Sequence, residues 1–238
     1  MMIIKRITPC KAILIFTAFT AYFFLLLFTL LPFLKSTLSL HPALYWFITG
    51  YFLFIPLFLF AIISVKIEGN SGTKQIARAL CIKSLSKKDW RYSIIGLLLV
   101  FIFTGLIFGI AALLQKYYGF DPLSTTPWFM EMQPFEGKEK LFLLIWLPMF
   151  FFNIVGEEIL WRGYIQRRLR GERSWLLCSF LWMLFHVPFG IDLMIMLIPV
   201  IIIIPYVFYK TQNSLTGIFI HGVYNGPLFI LVSLGLIQ

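Results

Sequence analysis

The chain has 238 residues, 60% of them hydrophobic and only 13% charged, and a mean hydropathy of +0.90, far from the roughly 25% charged residues of soluble domains. That composition excludes an ordinary water-soluble globular protein and points to a single integral membrane domain over 1–238, all-α, a polytopic bundle of about seven transmembrane helices. The net charge of +10 is accompanied by no recognition motif for nucleic acid, so no nucleic-acid partner is expected, and anionic lipid headgroups are the natural counterpart of the basic loops.

The first apolar run, Ala12 to Leu34, lies between Lys11 and Lys35 and is long enough to cross a hydrocarbon core of roughly 30 Å. Leu31-Pro32-Phe33-Leu34 offers no small-residue cleavage site, so a retained anchor is expected. Pro42 to Val65 and Tyr92 to Gln115 are the second and third spans. Between them Ser86-Lys87-Lys88-Asp89 predicts a capping box that opens the third. The fourth span starts at Leu141 and is interrupted by Glu157 and Glu158 before running on towards Arg167. Ser174 to Ile191 and Leu193 to Tyr209 form spans five and six, with Pro188, Gly190 and Asp192 marking a tight turn between them. Pro199 and Pro205 predict a kink in span six. Thr211 to Gln238, without Asp, Glu, Lys or Arg, is span seven.

Lys and Arg collect in alternate connections. Lys5, Arg6 and Lys11, the seven basic residues from Lys66 to Arg91, the segment Arg162 to Arg173, and Lys210 fall on one side, against Lys35, Lys116, Lys138 and Lys140 on the other. By the positive-inside rule the N-terminus is expected in the cytoplasm. Cys10, Cys81 and Cys178 stand alone, with no CxxC pair and no disulfide framework.

Chemistry is expected among the polar side chains that lipid would otherwise exclude, since an ionisable group at mid-bilayer costs at least ~2.5 kcal/mol. Glu157, His186, His221 and Asn225 are the candidates. On ideal helices Glu157 lies about 15 Å above Arg167, His186 about 20 Å above Arg173, and His221 about 16 Å above Lys210, so three spans deliver them to similar depth. Glu158 and Arg162, four apart, share a helix face and read as a supporting ion pair, while Glu157 points roughly 100° away. His221 and Asn225, also four apart, present donors to one side of span seven. A base for water, an acid for a leaving amine and donors for an oxyanion are what peptide hydrolysis requires. The bland alternative is a snorkelling Glu-Glu-x-x-x-Arg with His and Asn bonding neighbouring helices.

Glu157-Glu158-Ile159-Leu160-Trp161-Arg162 fits EExxxR, His186 ends a second motif, and His221-Gly222-Val223-Tyr224-Asn225 fits HxxxN, in order and on successive helices. In this the chain resembles the CAAX protease and bacteriocin-processing family, also called CPBP or Abi, which includes the type II CAAX prenyl endopeptidases. The resemblance spans Leu141 to the C-terminus, so residues 141–238 are expected to form the catalytic core and 1–140 the N-terminal spans. It implies an intramembrane glutamate-type endopeptidase in which Glu157 and His186 activate water, His221 and Asn225 stabilise the oxyanion, and Glu158 and Arg162 support the site. It implies no cofactor and, as partner, a peptide or prenylated protein substrate. A short member of this type is expected in a prokaryotic plasma membrane. The second motif is usually FxxxH, whereas Trp182 stands four before His186 here. Two rivals stand beside this reading: a zinc metalloprotease, because two histidines and a carboxylate are also a metal-ligand set, and a non-catalytic immunity protein, scaffold or transporter, although no inverted repeats of a transporter are present. A prenylated CAAX protein, a bacteriocin leader and another membrane peptide are equally compatible with the motifs as substrate.

Overall fold

Helix-start signals in the sequence set most of the element boundaries. A computed structural model describes residues 3–131, 133–169 and 171–236, and among these there is no β-strand. Helix α1 runs Pro9–Thr37. Its N-cap Thr8 accepts a hydrogen bond from the Lys11 amide and Pro9 occupies the first turn, where its missing N–H costs nothing. Helix α2, Pro42–Ile67, is capped by His41, and the short α3, Thr73–Ala79, follows. Helix α4, Lys87–Tyr118, begins in the expected capping box. The Asp89 amide donates to Ser86 Oγ (3.2 Å), the Ser86 amide donates to Asp89 Oδ2 (2.9 Å), and Gly119, at φ 70°, stops the helix. Helix α5 covers Gly137–Gln166, α6 Ser174–Phe185, α7 Ile191–Thr211 and α8 Ser214–Ser233.

Six of these (α1, α2, α4, α5, α7 and α8) are long and apolar enough to cross a membrane, and α6 is a shorter apolar helix. The protein is therefore an integral, multi-pass helical bundle of the expected kind. Three spans depart from the sequence reading. The fifth span stops at Phe185 and gives way to a 3-10 turn, Val187–Phe189, before Gly190 at φ 95°, which turns the chain into α7. The seventh starts at Ser214, because Thr211 closes α7, Gln212 is left-handed at φ 51°, and Asn213 caps α8 by accepting from the Leu215 amide. Its expected end, residues 237–238, lies outside the described residues. The fourth span changes to π-helix over Glu158–Gln166, so ideal α-helical angles do not apply there.

Helix α5 sits at the centre, packed on α2 and, through its π segment, on α6 and α8. Close approach depends on glycine: a Cβ on Gly156 would stand 3.1 Å from the Phe54 carbonyl oxygen, and one on Gly163 would collide with the Leu80 carbonyl. Helix α1 is more than an anchor. Phe16 stacks on Trp161 at 4.0 Å between ring centroids, and Phe19 meets the same indole edge-on.

The two ends of the bundle are closed differently. At the basic end Arg168, 1% exposed, makes a forked pair with Glu68 (Nη2 to Oε2 2.7 Å, Nε to Oε1 2.9 Å). Its Nη1 donates to the carbonyls of Ala79, Gly163 and Tyr164. At the other end the loop after α4 drops Phe129, 4% exposed, among Phe23, Trp46 and Phe189. That loop is tied down by Trp128 Nε1 donating to the Pro188 carbonyl (2.8 Å) and by Lys35 donating to Glu131 (2.8 Å), a bond that holds the Glu131 carboxyl below its ordinary range.

Candidate functional site

The α-to-π transition of α5 falls between Glu157 and Glu158 and separates two buried carboxylates, 2% and 0% exposed, into two environments. π segments recur at functional sites because they rotate side chains out of the α register. Glu157 Oε1 accepts from Asn153 Nδ2 (2.8 Å), one turn earlier, and Glu157 Oε2 accepts from Trp182 Nε1 on α6 (2.7 Å). Glu158 Oε1 accepts from His221 Nδ1 on α8 (3.1 Å), while its Oε2 lies 3.3 Å from Arg162 Nε. Room for this carboxylate comes from Gly217 of α8, where a Cβ would run into Glu158 Oε2.

His186 caps the C-terminus of α6. Its Nδ1 lies 2.7 Å from the Trp182 carbonyl oxygen, which only accepts, so the proton is on Nδ1 and Nε2 carries the lone pair. Phe185 meets the imidazole edge-on and Phe189 stacks against it. Trp182 lies between the histidines, with ring centroids 5.3 Å from His186 and 5.5 Å from His221. The Arg162 guanidinium rests on its face, 3.4 Å from the ring centroid. A cation desolvated against an indole in this way gains on the order of 2 kcal/mol. That contact matters here because Arg162 is fully buried and none of its nitrogens has a hydrogen-bond partner among the described residues.

The structure thus gathers Glu157, Glu158, Arg162, His186 and His221 around one indole. Asn225 shares α8 with His221, one turn further on and half-buried, and among the described residues it forms no side-chain hydrogen bond tying it to the cluster. Glu158 is shared between Arg162 and His221 and is not confined to one ion pair. Two contributors escaped the sequence reading. Asn153 precedes Glu157 by four residues, a spacing that puts it on the same helix face. The Trp182 N–H was hidden because the residue was read for its ring alone. Among the described residues no three His, Cys, Asp or Glu side chains converge as a metal-ligand set.

Beside the cluster an apolar groove runs between α5 and α8, lined by Leu147, Phe150, Phe151, Ile154, Ile218 and Gly222. Ile154 and Gly222 belong to the same helix turns as Glu157 and His221.

Comparison with known proteins gives one family. Residues 139–226 match the family model described as type II CAAX prenyl endopeptidase Rce1-like. Neither a curated protein nor a solved structure matches the chain significantly. The matched segment begins at α5, leaves the first three spans outside, and contains EExxxR, His186 and HxxxN. It bears out the resemblance to the CAAX protease family and supports a membrane protease.

Proposed function

We propose that the protein is an intramembrane endopeptidase that hydrolyses a peptide bond in a membrane-associated or prenylated protein, using water activated by Glu157 and His186. The observation that carries this reading is a buried carboxylate whose two oxygens each accept one N–H donor, next to a histidine whose tautomer leaves Nε2 unprotonated. Each carboxylate oxygen keeps a lone pair for a water molecule.

In the proposed reaction Glu157 takes a proton from water, assisted by His186 Nε2, as the water oxygen bonds to the scissile carbonyl carbon. The tetrahedral oxyanion is met by His221 and Asn225. With Nδ1 directed at the Glu158 carboxylate, the His221 ring is held in one orientation beside the oxyanion. Glu157 then returns its proton to the amine as the C–N bond breaks. Glu158 and Arg162 act through His221 and Trp182 and do not touch substrate. No cofactor is required in this scheme.

The apolar groove between α5 and α8 supports a substrate that arrives within the membrane or carries a lipid chain. The basic end faces the cytoplasm on the positive-inside rule, and in our reading the core from residue 141 onward and the spans of 1–140 work as one membrane domain in a prokaryotic plasma membrane.

Purified protein in detergent, tested on a panel of prenylated and leader peptides with and without a chelator, checks this. Cleavage by wild type that is insensitive to chelator and falls at least about a hundredfold in Glu157→Gln and His186→Ala is expected. Chelator inactivation reversed by zinc would replace water activation by Glu157 with a metalloprotease. A folded wild type that cleaves nothing across the panel would favour an immunity protein or scaffold.

A further inference from the structure

Trp182 occupies the position where the resembling family carries phenylalanine, and it does something phenylalanine cannot: its Nε1–H donates to Glu157 Oε2 at 2.7 Å. The residue is 1% exposed, so no water competes for the bond, and a hydrogen bond to a charged acceptor in such surroundings is at its strongest. The same residue touches the rest of the site. Its carbonyl accepts from His186 Nδ1, its ring edge meets His221, and the Arg162 guanidinium lies on its face at 3.4 Å. A cation over one face draws electron density from the indole and makes the N–H a better donor. Among the described residues Arg162 has no hydrogen-bond partner of its own, so its charge reaches the base through this ring and through Glu158.

We infer that Trp182 is a positioning residue that holds Glu157 aimed at the scissile bond, with the Arg162 charge transmitted through the indole. The inference rests on the peptidase reading. Asn153 completes the clamp from the other side, donating to Glu157 Oε1 at 2.8 Å. The charged and titratable groups around Glu157 are Glu158 and Arg162 on its own helix, His186 at the end of α6 and His221 on α8. Trp182 is the part that touches Arg162, His186 and His221 together.

The test is Trp182→Phe in the full-length protein, beside Glu157→Gln, on an internally quenched farnesylated peptide ending in a CAAX sequence. Trp182→Phe is expected to lower kcat about tenfold with KM within about twofold of wild type, the loss of one N–H donor to a charged acceptor. A merely structural role would lower the yield of folded enzyme and leave kcat per folded molecule at the wild-type level. If Trp182→Phe does not fold, β-(3-benzothienyl)alanine incorporated at 182 keeps the shape without the N–H and is read the same way. A wild-type kcat in the folded variant, with Glu157→Gln inactive, overturns the inference and leaves the peptidase reading standing. Activity retained in Glu157→Gln overturns the reading beneath it.

Discussion

Arg162 and Arg168 follow one another closely in the chain, each is buried, and each faces a glutamate, yet their surroundings are opposite. Arg168 is saturated: Glu68 takes two of its nitrogens, three backbone carbonyls take the third, and Tyr164 covers its face at 4.3 Å. Arg162 has a single oblique contact with Glu158 at 3.3 Å and an indole beneath it, and its nitrogens have no hydrogen-bond partner among the described residues. A buried ion pair whose hydrogen bonds are all satisfied fixes structure. One left short of partners, beside a carboxylate with donors on both oxygens, is the arrangement expected where charge must act on a reaction. The contrast separates what clamps the basic end of the bundle from what tunes its middle.

The contrast is broken most severely at the clamp. Arg168→Met leaves Glu68 buried and unpaired, and should cost about 3–5 kcal/mol of stability, seen as an early thermal transition in detergent, while turnover per folded molecule stays at the wild-type level. Glu158→Gln acts in the reverse sense. It removes the charge facing His221 and Arg162, so peptide cleavage should fall about a hundredfold, near 2.7 kcal/mol in the barrier, with a smaller change in melting temperature than Arg168→Met. Comparable melting losses in the two variants would erase the distinction. Ser86→Ala, which bonds to neither arginine, removes only an N-cap and should lower stability by about 1 kcal/mol with unchanged cleavage.

Much of the bundle was legible because lipid imposes simple rules: length, absence of charge, and basic connections fixed the spans, and Ser86 with Asp89 announced the start of α4. The candidate site was legible through three spacings, 157 to 162, 182 to 186 and 221 to 225. What was not legible depended on geometry that no local pattern encodes. Nothing in Glu158-Ile-Leu-Trp-Arg162 signals a π-helix, whose extra residue per turn is stabilised by neighbours packed around it. The Glu68 and Arg168 partners are 100 residues apart and each alone reads as an ordinary loop charge. The His221 bond to Glu158 needed the α8 backbone at Gly217 to come within reach of a carboxylate, a condition set by helix packing. Trp182 shows the limit most sharply, since ring size and N–H direction are independent properties and sequence gives only the first.

The aromatic closure made by Phe129, Phe23, Trp46 and Phe189 has a consequence for the cell's energetics. A protein that admits water to the depth of His186 opens a conduction hazard, because a continuous hydrogen-bonded file of water from one face of a bilayer to the other would carry protons down their gradient. Phe189 stacks directly on His186 and Phe129 packs behind it, so on that side the site is backed by hydrocarbon, which offers a water file no hydrogen-bond partner. In the proposed hydrolysis, water at the site and electrical insulation of the membrane are thereby compatible in one bundle.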